Sequence, residues 1–365
     1  MRIQDLDTPV LIIDLDIMER NLRRAAGYAR EHGLRLRPHT KTHKVPAIGR
    51  KQLEFGAAGL SVAKVSEAEV MLSASPEDLL FAYPVVGSAK MPRLVEVARR
   101  TRVTVALDSI KVARALSDAA SAGKVELGIL TEADAGYCRV GVQPGEALLS
   151  LVRDVARLPH LRWEGIAIYP GHIRDLRQPE GQRQLEAVSK TVARIREDLK
   201  RAGFEPRIVS GGSTPTLYHS HLVEGMNEIR PGTYVFNDRN TCEVGACRIE
   251  DCAATIMCTV VSTAYPGQAL FDGGSKTFSS DRTDSPTEVN FGYVVGDPGA
   301  VFTKMNEEHG YLDIRRADRK YEVGDRLRVI PSHVCTAMNM HERVYGVRGD
   351  EVEVVWEVAG RGKLQ

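Results

Sequence analysis

A chain of 365 residues is longer than an ordinary single domain, so two domains are the first expectation. Its 43% hydrophobic and 27% charged residues are a globular composition, and 49 basic against 48 acidic residues argue against a nucleic-acid-binding face or a polybasic membrane patch. No apolar run approaches the roughly 18 residues of a membrane span, and the opening MRIQDLDTPVLIIDLD carries acid where a signal peptide carries positive charge, so a cytoplasmic location is expected.

The first two-thirds of the chain alternates short apolar runs with amphipathic segments. Strands are predicted at 34–38, 59–63, 79–82, 102–107, 125–130, 163–168, 207–210 and 228–236, rich in Val, Ile and Leu as strands buried on both faces require. Helices are predicted between them at 18–32, 65–73, 88–100, 109–122, 145–157 and 182–203. Gly33 and Gly203 stand where a helix end wants positive φ. Eight strand–helix units predict an α/β fold, a closed (β/α)8 barrel. An open doubly wound sheet is the alternative, but no GxGxxG follows the first strand.

Past residue 245 the texture changes to strands at 253–264, 267–271, 326–331, 342–347 and 351–357, punctuated by Gly, Pro and Asp. The expected division is therefore a barrel over 1–245 and a C-terminal β-rich domain over 246–365. Whether the first residues pack with the β domain is left open. Cysteines at 138, 242, 247, 252, 258 and 335 are scattered without a CxxC pair, against a disulfide framework. Buried free thiols are expected for most of them, with Cys335 the exception.

Function in a barrel belongs at the C-terminal strand ends. The first expected strand runs into Arg37-Pro38-His39-Thr40-Lys41-Thr42-His43-Lys44, and a lysine partly desolvated among cations becomes a nucleophilic amine. The segment taken alone fits a basic surface loop slightly better. The seventh strand ends in Ser210-Gly211-Gly212-Ser213-Thr214-Pro215-Thr216 and the eighth in Arg230-Pro231-Gly232-Thr233. Glycines and hydroxyls there suit an anion, at the strands where barrels commonly bind phosphate. A phosphate cradle with a loop lysine is what a phosphorylated aldehyde cofactor requires. In the β domain, Ile330-Pro331-Ser332-His333-Val334-Cys335 puts an imidazole and a thiol two apart, on one face if the segment is a strand.

These motifs, with Val65-Ser66-Glu67-Ala68-Glu69 and Asn306-Glu307-Glu308-His309-Gly310, resemble the D-threonine aldolase/D-serine dehydratase family, an alanine-racemase-like branch of pyridoxal-phosphate enzymes. The resemblance runs from Asp7-Thr8-Pro9 to the C-terminus. It implies Lys41 as the Schiff-base residue, with His39 beside it. Gly211, Gly212, Ser213, Thr214, Gly232 and Thr233 would hold the phosphate. It further implies Arg139 near the cofactor's phenolic oxygen, Tyr169 beside the ring and Arg230 at the ring nitrogen. His333 and Cys335 would bind a divalent metal, Zn2+ or Mn2+, with Mg2+ and Co2+ as further candidates. His172 and Asp175 are alternative bases for a substrate hydroxyl. His309 is divided between an active-site role and a turn cap, and Asp272 and Asp281-Arg282 between a partner subunit's site and solvated turns.

The implied reaction is cleavage of a D-β-hydroxy-α-amino acid to glycine and an aldehyde. A dehydratase giving a 2-oxo acid and ammonia is the alternative. An amino-acid racemase and a non-enzymatic cofactor-binding protein are weighed below both. A head-to-tail homodimer is also implied.

Overall fold

A computed structural model describes residues 1–283 and 289–365. The described chain forms two compact units: a barrel unit of Arg23–Lys41, Pro46–Gly232 and Gly362–Gln365, and a β unit of Met1–Leu22, Thr42–Val45 and Thr233–Arg361. The expected division at residue 245 thus differs from the observed one, which falls at 232 and assigns the first residues to the β unit.

The barrel unit holds an all-parallel sheet of eight strands: Arg35–Leu36, Leu60–Val62, Asp78–Phe81, Arg102–Leu107, Leu127–Glu132, Leu161–Ala167, Ile208–Gly211 and Glu228–Ile229. From the second strand on each pairs with the next, and the first pairs with the eighth. A bridge between His39 and Ser61, with the Ser61 N–H donating to the Pro38 carbonyl (2.8 Å), joins the first strand to the second and closes the ring.

Side chains alternate along these strands as the two-residue period demands. Leu80, Ala106, Leu130, Ala167 and Ile208 pack together, whereas Leu79, Phe81, Val103, Val105 and Ile129 join the larger cluster that includes helix residues Leu94, Leu116 and Leu151. The helix Pro179–Arg201 shows why: Leu185, Val188, Val192, Ile195 and Leu199 are buried at spacings of three and four residues. Gly33 and Gly203 take φ of 64° and 82° just beyond their helices, as anticipated.

A buried ionic cluster also occupies the barrel unit. Arg37 is fully buried and pairs with Asp78 and Glu228, each at 3.0 Å. Burial raises the Asp78 carboxyl above its ordinary value, while Arg37 opposes the shift. With partners on two strands, Arg37 fixes the start of the Pro38–Lys44 segment.

The β unit carries a nine-stranded sheet. Ala254–Ser262 pairs with Arg326–Pro331 on one side and Val10–Asp14 on the other, and its distal end pairs with Gln268–Phe271. Gln268–Phe271, Gly310–Asp313, Val301–Met305, Gly292–Val294 and Arg326–Pro331 follow in order, so six strands return on themselves. Val10–Asp14 also runs parallel to Arg343–Arg348, which pairs with Glu351–Glu357. Among the described residues no helix is long and apolar enough to cross a membrane.

Candidate active site

Because all eight barrel strands are parallel, their C-terminal ends lie at one end of the barrel. The first delivers Thr40–Thr42, a single turn of 3-10 helix. Thr40 is fully buried and donates to the Ser61 carbonyl (3.1 Å) and to Glu67 Oε1 (2.7 Å), while Glu67 Oε2 accepts from the Ala63 N–H (2.9 Å). The Lys41 N–H donates to His39 Nδ1 at 3.3 Å. The lysine backbone is therefore held by buried neighbours, but its side chain is exposed, where partial desolvation was expected. His39 is tied to the eighth strand by its own N–H, which donates to the Pro231 carbonyl (2.9 Å).

The seventh strand ends in a compact hydroxyl-rich turn. Ser213, Thr214 and Thr216 are buried, and Thr216 Oγ1 accepts from the Ser213 N–H at 3.1 Å. Gly211 cannot be replaced without displacement: a Cβ there would lie 2.8 Å from both Ile168 Cγ1 and Met226 Sδ. The next strand is in register, with the Arg230 N–H donating to the Gly211 carbonyl (2.9 Å).

Arg230 itself is buried. Its Nη2 donates to the Ile168 carbonyl (2.9 Å), and its buried Nη1 has no hydrogen-bond partner among the described residues. Burial depresses its pKa, opposed by Glu132 and Glu228. An unsatisfied buried guanidinium N–H is costly, which points to an acceptor supplied from outside the chain. Glu132, buried at the end of the fifth strand and near Arg230 and Arg139, has its carboxyl pushed up by burial against their pull. Sequence reading passed over Glu132, because a single acid ending a strand carries no motif.

The loop after the fifth strand is held by Asp134, whose Oδ1 accepts from the N–H groups of Gly136, Tyr137 and Cys138, each at 3.0 Å. It presents Arg139, whose Cζ stands 4.3 Å from the Tyr169 ring centroid and 5.3 Å from that of Tyr137. Tyr137 meets Tyr169 edge-on (5.2 Å) and stacks with His172 at 6.4 Å. Burial lowers the His172 pKa, and its buried Nδ1 has no partner among the described residues. Asp175 behaves differently. It is clamped by Arg177 through Nε (2.9 Å) and Nη2 (2.8 Å), and that hydrogen bonding lowers its pKa.

In the β unit, His333 and Cys335 are neighbours for a reason other than the one expected. The strand ends at Pro331; His333 is the N-cap of the helix Val334–Met340 and Cys335 lies in its first turn. The face-sharing argument for a strand therefore fails, and a helix start brings the two side chains together instead. His333 Nδ1 donates to Asp238 Oδ2 (3.1 Å), which also accepts the Val334 N–H (3.1 Å). Burial disfavours a charged imidazole, but the Cys335 thiolate and the Asp238 carboxylate prevail and push His333 up to about 11. Cys335 Sγ lies 3.3 Å from the Thr42 hydroxyl and 3.7 Å from Thr233 Oγ1. Thr233 thus belongs, by its side chain, to the thiol's surroundings. Asp238 was also missed by sequence reading, since the acid that orients a metal-ligating histidine lies anywhere in the sequence.

Other candidates are structurally committed. His309 is exposed in the turn between Val301–Met305 and Gly310–Asp313. Asp272 accepts from Thr8 Oγ1 (2.5 Å) and the Thr259 N–H (2.8 Å), and Asp281 accepts from Ser279 Oγ (2.8 Å).

The two ends of the chain match two family models: alanine racemase, N-terminal domain, over 13–240, and putative serine dehydratase domain, over 253–347. The chain is 33% identical to a 3-hydroxy-D-aspartate aldolase of Paracoccus denitrificans (strain Pd 1222), over 98% of this chain and 93% of that one. It is 32% identical to a D-threo-3-hydroxyaspartate dehydratase of Delftia sp. (strain HT23), over 96% and 97%. The crystal structure of D-threonine aldolase from Filomicrobium marinum superimposes with a TM-score of 0.93 at 33% identity, over 99% of this chain and 97% of that one. The alanine-racemase-type barrel with its β-rich companion implies pyridoxal phosphate as the cofactor of such enzymes. With matches that span nearly the whole of both chains, this protein belongs to the alanine-racemase-like family of lyases that contains the D-threonine and 3-hydroxy-D-aspartate aldolases and their dehydratase relatives.

Proposed function

We propose that the protein is a lyase that cleaves D-β-hydroxy-α-amino acids to glycine and an aldehyde, using pyridoxal phosphate and a divalent metal. The observation that carries the reading is the unpartnered, buried Nη1 of Arg230 at the barrel end that also carries Lys41 and the Ser213–Thr216 turn. That donor fits a pyridine nitrogen, the hydroxyl turn fits a phosphate, and the exposed amine of Lys41 fits covalent attachment to an aldehyde. Bound there, the cofactor supplies an electron sink for the pair released at the substrate's Cα.

Around it, the chain's own groups have distinct tasks. Arg139 and Tyr169 form a stacked wall that fixes the ring's orientation. Arg230 offers an N–H to the ring nitrogen, keeping it unprotonated. His172, neutral because burial lowers its pKa, accepts the β-hydroxyl proton at its imidazole nitrogen as the Cα–Cβ bond breaks. Asp175, already saturated by Arg177, is the poorer candidate base. In the β unit, His333 gives Nδ1–H to Asp238, and a metal that displaces the Nε2 proton would be held there with the Cys335 sulfur as second ligand. An imidazole–thiolate set favours Zn2+ among the candidate ions, and its remaining positions would go to water and to a substrate oxygen.

The thiol at 335 gives a second reading its footing: a dehydratase in which Lys41 removes the Cα proton and the β-hydroxyl leaves, yielding a 2-oxo acid and ammonia. One experiment separates the two. Metal-loaded holoenzyme is incubated with D-threonine, D-serine and D-3-hydroxyaspartate. Glycine with an aldehyde supports the aldolase, ammonia with a 2-oxo acid supports the dehydratase, and neither product sinks both. In Lys41→Ala the yellow imine band should vanish and turnover should fall by about 10²–10⁴-fold or more. The head-to-tail homodimer also belongs to this proposal; a monomer in sedimentation of the holoenzyme would refute it.

A further inference from the structure

Three thiols that looked scattered in the sequence converge in the β unit. Cys242 Sγ stands 3.3 Å from Cys247 Sγ and 3.5 Å from Cys252 Sγ, and all three sulfurs lie within 4.8 Å of one another. A metal bound tetrahedrally at about 2.3 Å from each thiolate spaces its sulfurs about 3.8 Å apart, a few tenths of an ångström wider than the two short separations here and inside the 4.8 Å that bounds the group. A disulfide needs about 2.05 Å and joins only two sulfurs. We propose that Cys242, Cys247 and Cys252 form a second metal centre, a tris-thiolate site for Zn2+, separate from the His333–Cys335 pair.

Each sulfur is positioned by a different piece of local structure. Cys242 lies on the short helix Arg239–Glu243, whose N-cap Asp238 accepts the Thr241 N–H (2.8 Å). Cys247 follows the turn in which the Gly245 N–H closes onto the Cys242 carbonyl (2.9 Å). Cys252 ends the 3-10 turn Ile249–Asp251, and the Asp251 carbonyl accepts from Asn21 Nδ2 (2.8 Å) and Asn237 Nδ2 (3.0 Å). Cys252 is buried and the other two are half-buried. Among the described residues no histidine or carboxylate joins the group. Water therefore fills the fourth tetrahedral position. On binding, each thiol gives up its proton, so Zn2+ replaces up to three protons and no oxidant is needed.

The site would brace the segment from Asp238 to Cys252. Asp238 is also the residue that holds His333, so a metal here would steady the orienting carboxylate of the other pair.

The test reads metal content. Reduced full-length protein and its His333→Ala/Cys335→Ala variant are loaded with zinc, passed over a weak chelator and assayed by mass spectrometry. The variant should keep one zinc per chain, and adding Cys242→Ser and Cys247→Ser should remove it. Zinc-edge X-ray absorption on the His333→Ala/Cys335→Ala protein provides a second readout that needs no further mutation. A first shell dominated by sulfur at about 2.3 Å is expected. A nitrogen/oxygen shell, an unchanged zinc content after the two serine changes, or no zinc retained by the His333→Ala/Cys335→Ala protein would overturn the proposal.

Discussion

Charged neighbours separate two histidines that look equivalent in the sequence. His172 is held below the ordinary imidazole range, whereas His333 is driven up by its anionic neighbours. A neutral imidazole accepts a proton, so cleavage that relies on His172 should persist as pH falls through about 6.5 and decline only below it. The profile of kcat/KM against pH for the wild type and His172→Ala checks this; the same acid limb in both would remove His172 from the mechanism. The expected loss on truncation is about 10²–10⁴-fold in kcat. Asp238 divides its work between two oxygens: Oδ1 caps a helix at Thr241 and Oδ2 holds His333. Asp238→Asn, with the amide oxygen left at the cap, should weaken metal binding at His333 about 10–100-fold by titration at modest cost in stability. Asp238→Ala should lose the cap as well, about 1 kcal/mol in urea unfolding. The motif residues around Lys41 and Ser213 were readable because their types are unusual for where they stand. Glu132 and Asp238 were not, because an acid becomes special only through what folds against it.

At the scale of elements, boundaries followed apolar periodicity. The strands at 326–331 and 351–357 match Arg326–Pro331 and Glu351–Glu357 residue for residue. The expected strand at 228–236 shrinks to Glu228–Ile229, since the chain turns at Arg230-Pro231-Gly232 and continues as the 3-10 turn Thr233–Val235. Gly292–Val294, Val301–Met305 and Gly310–Asp313 went unread because they are short and partly exposed, with no two-residue alternation long enough to count. Val10–Asp14 went unassigned for the opposite reason: its unbroken apolar run fits any buried element, and its neighbours lie more than 240 residues away, at Ala254–Ser262 and Arg343–Arg348. Ile12 is fully buried there, so Ile12→Ala should cost about 2–5 kcal/mol in denaturant unfolding. A loss under 1 kcal/mol would mean that the strand is not a core member.

On the scale of the whole molecule, neither unit is one continuous stretch of chain. The β unit takes Met1–Leu22 and Thr42–Val45 from the first part of the sequence, and the barrel unit takes Gly362–Gln365 from the end. A fragment ending at residue 232 would therefore carry Leu11, Ile12 and Ile13, all fully buried in the intact chain, without either partner strand. Such a fragment should aggregate where the full chain does not, as read by size-exclusion chromatography. A monomeric, folded 1–232 fragment would contradict the division.

The sequence by itself determined the barrel, the β-rich companion, the family and the motifs, since all of these are written in local periodicity and in unusual residue types at strand ends. Tertiary structure alone decided which unit owns the first residues and which acids face Arg230 and His333. It also showed that His333 meets Cys335 at a helix start, and that the cysteines at 242, 247 and 252 stand together. Each of those is a proximity between residues whose sequence spacing carries no signal, and only packing creates it.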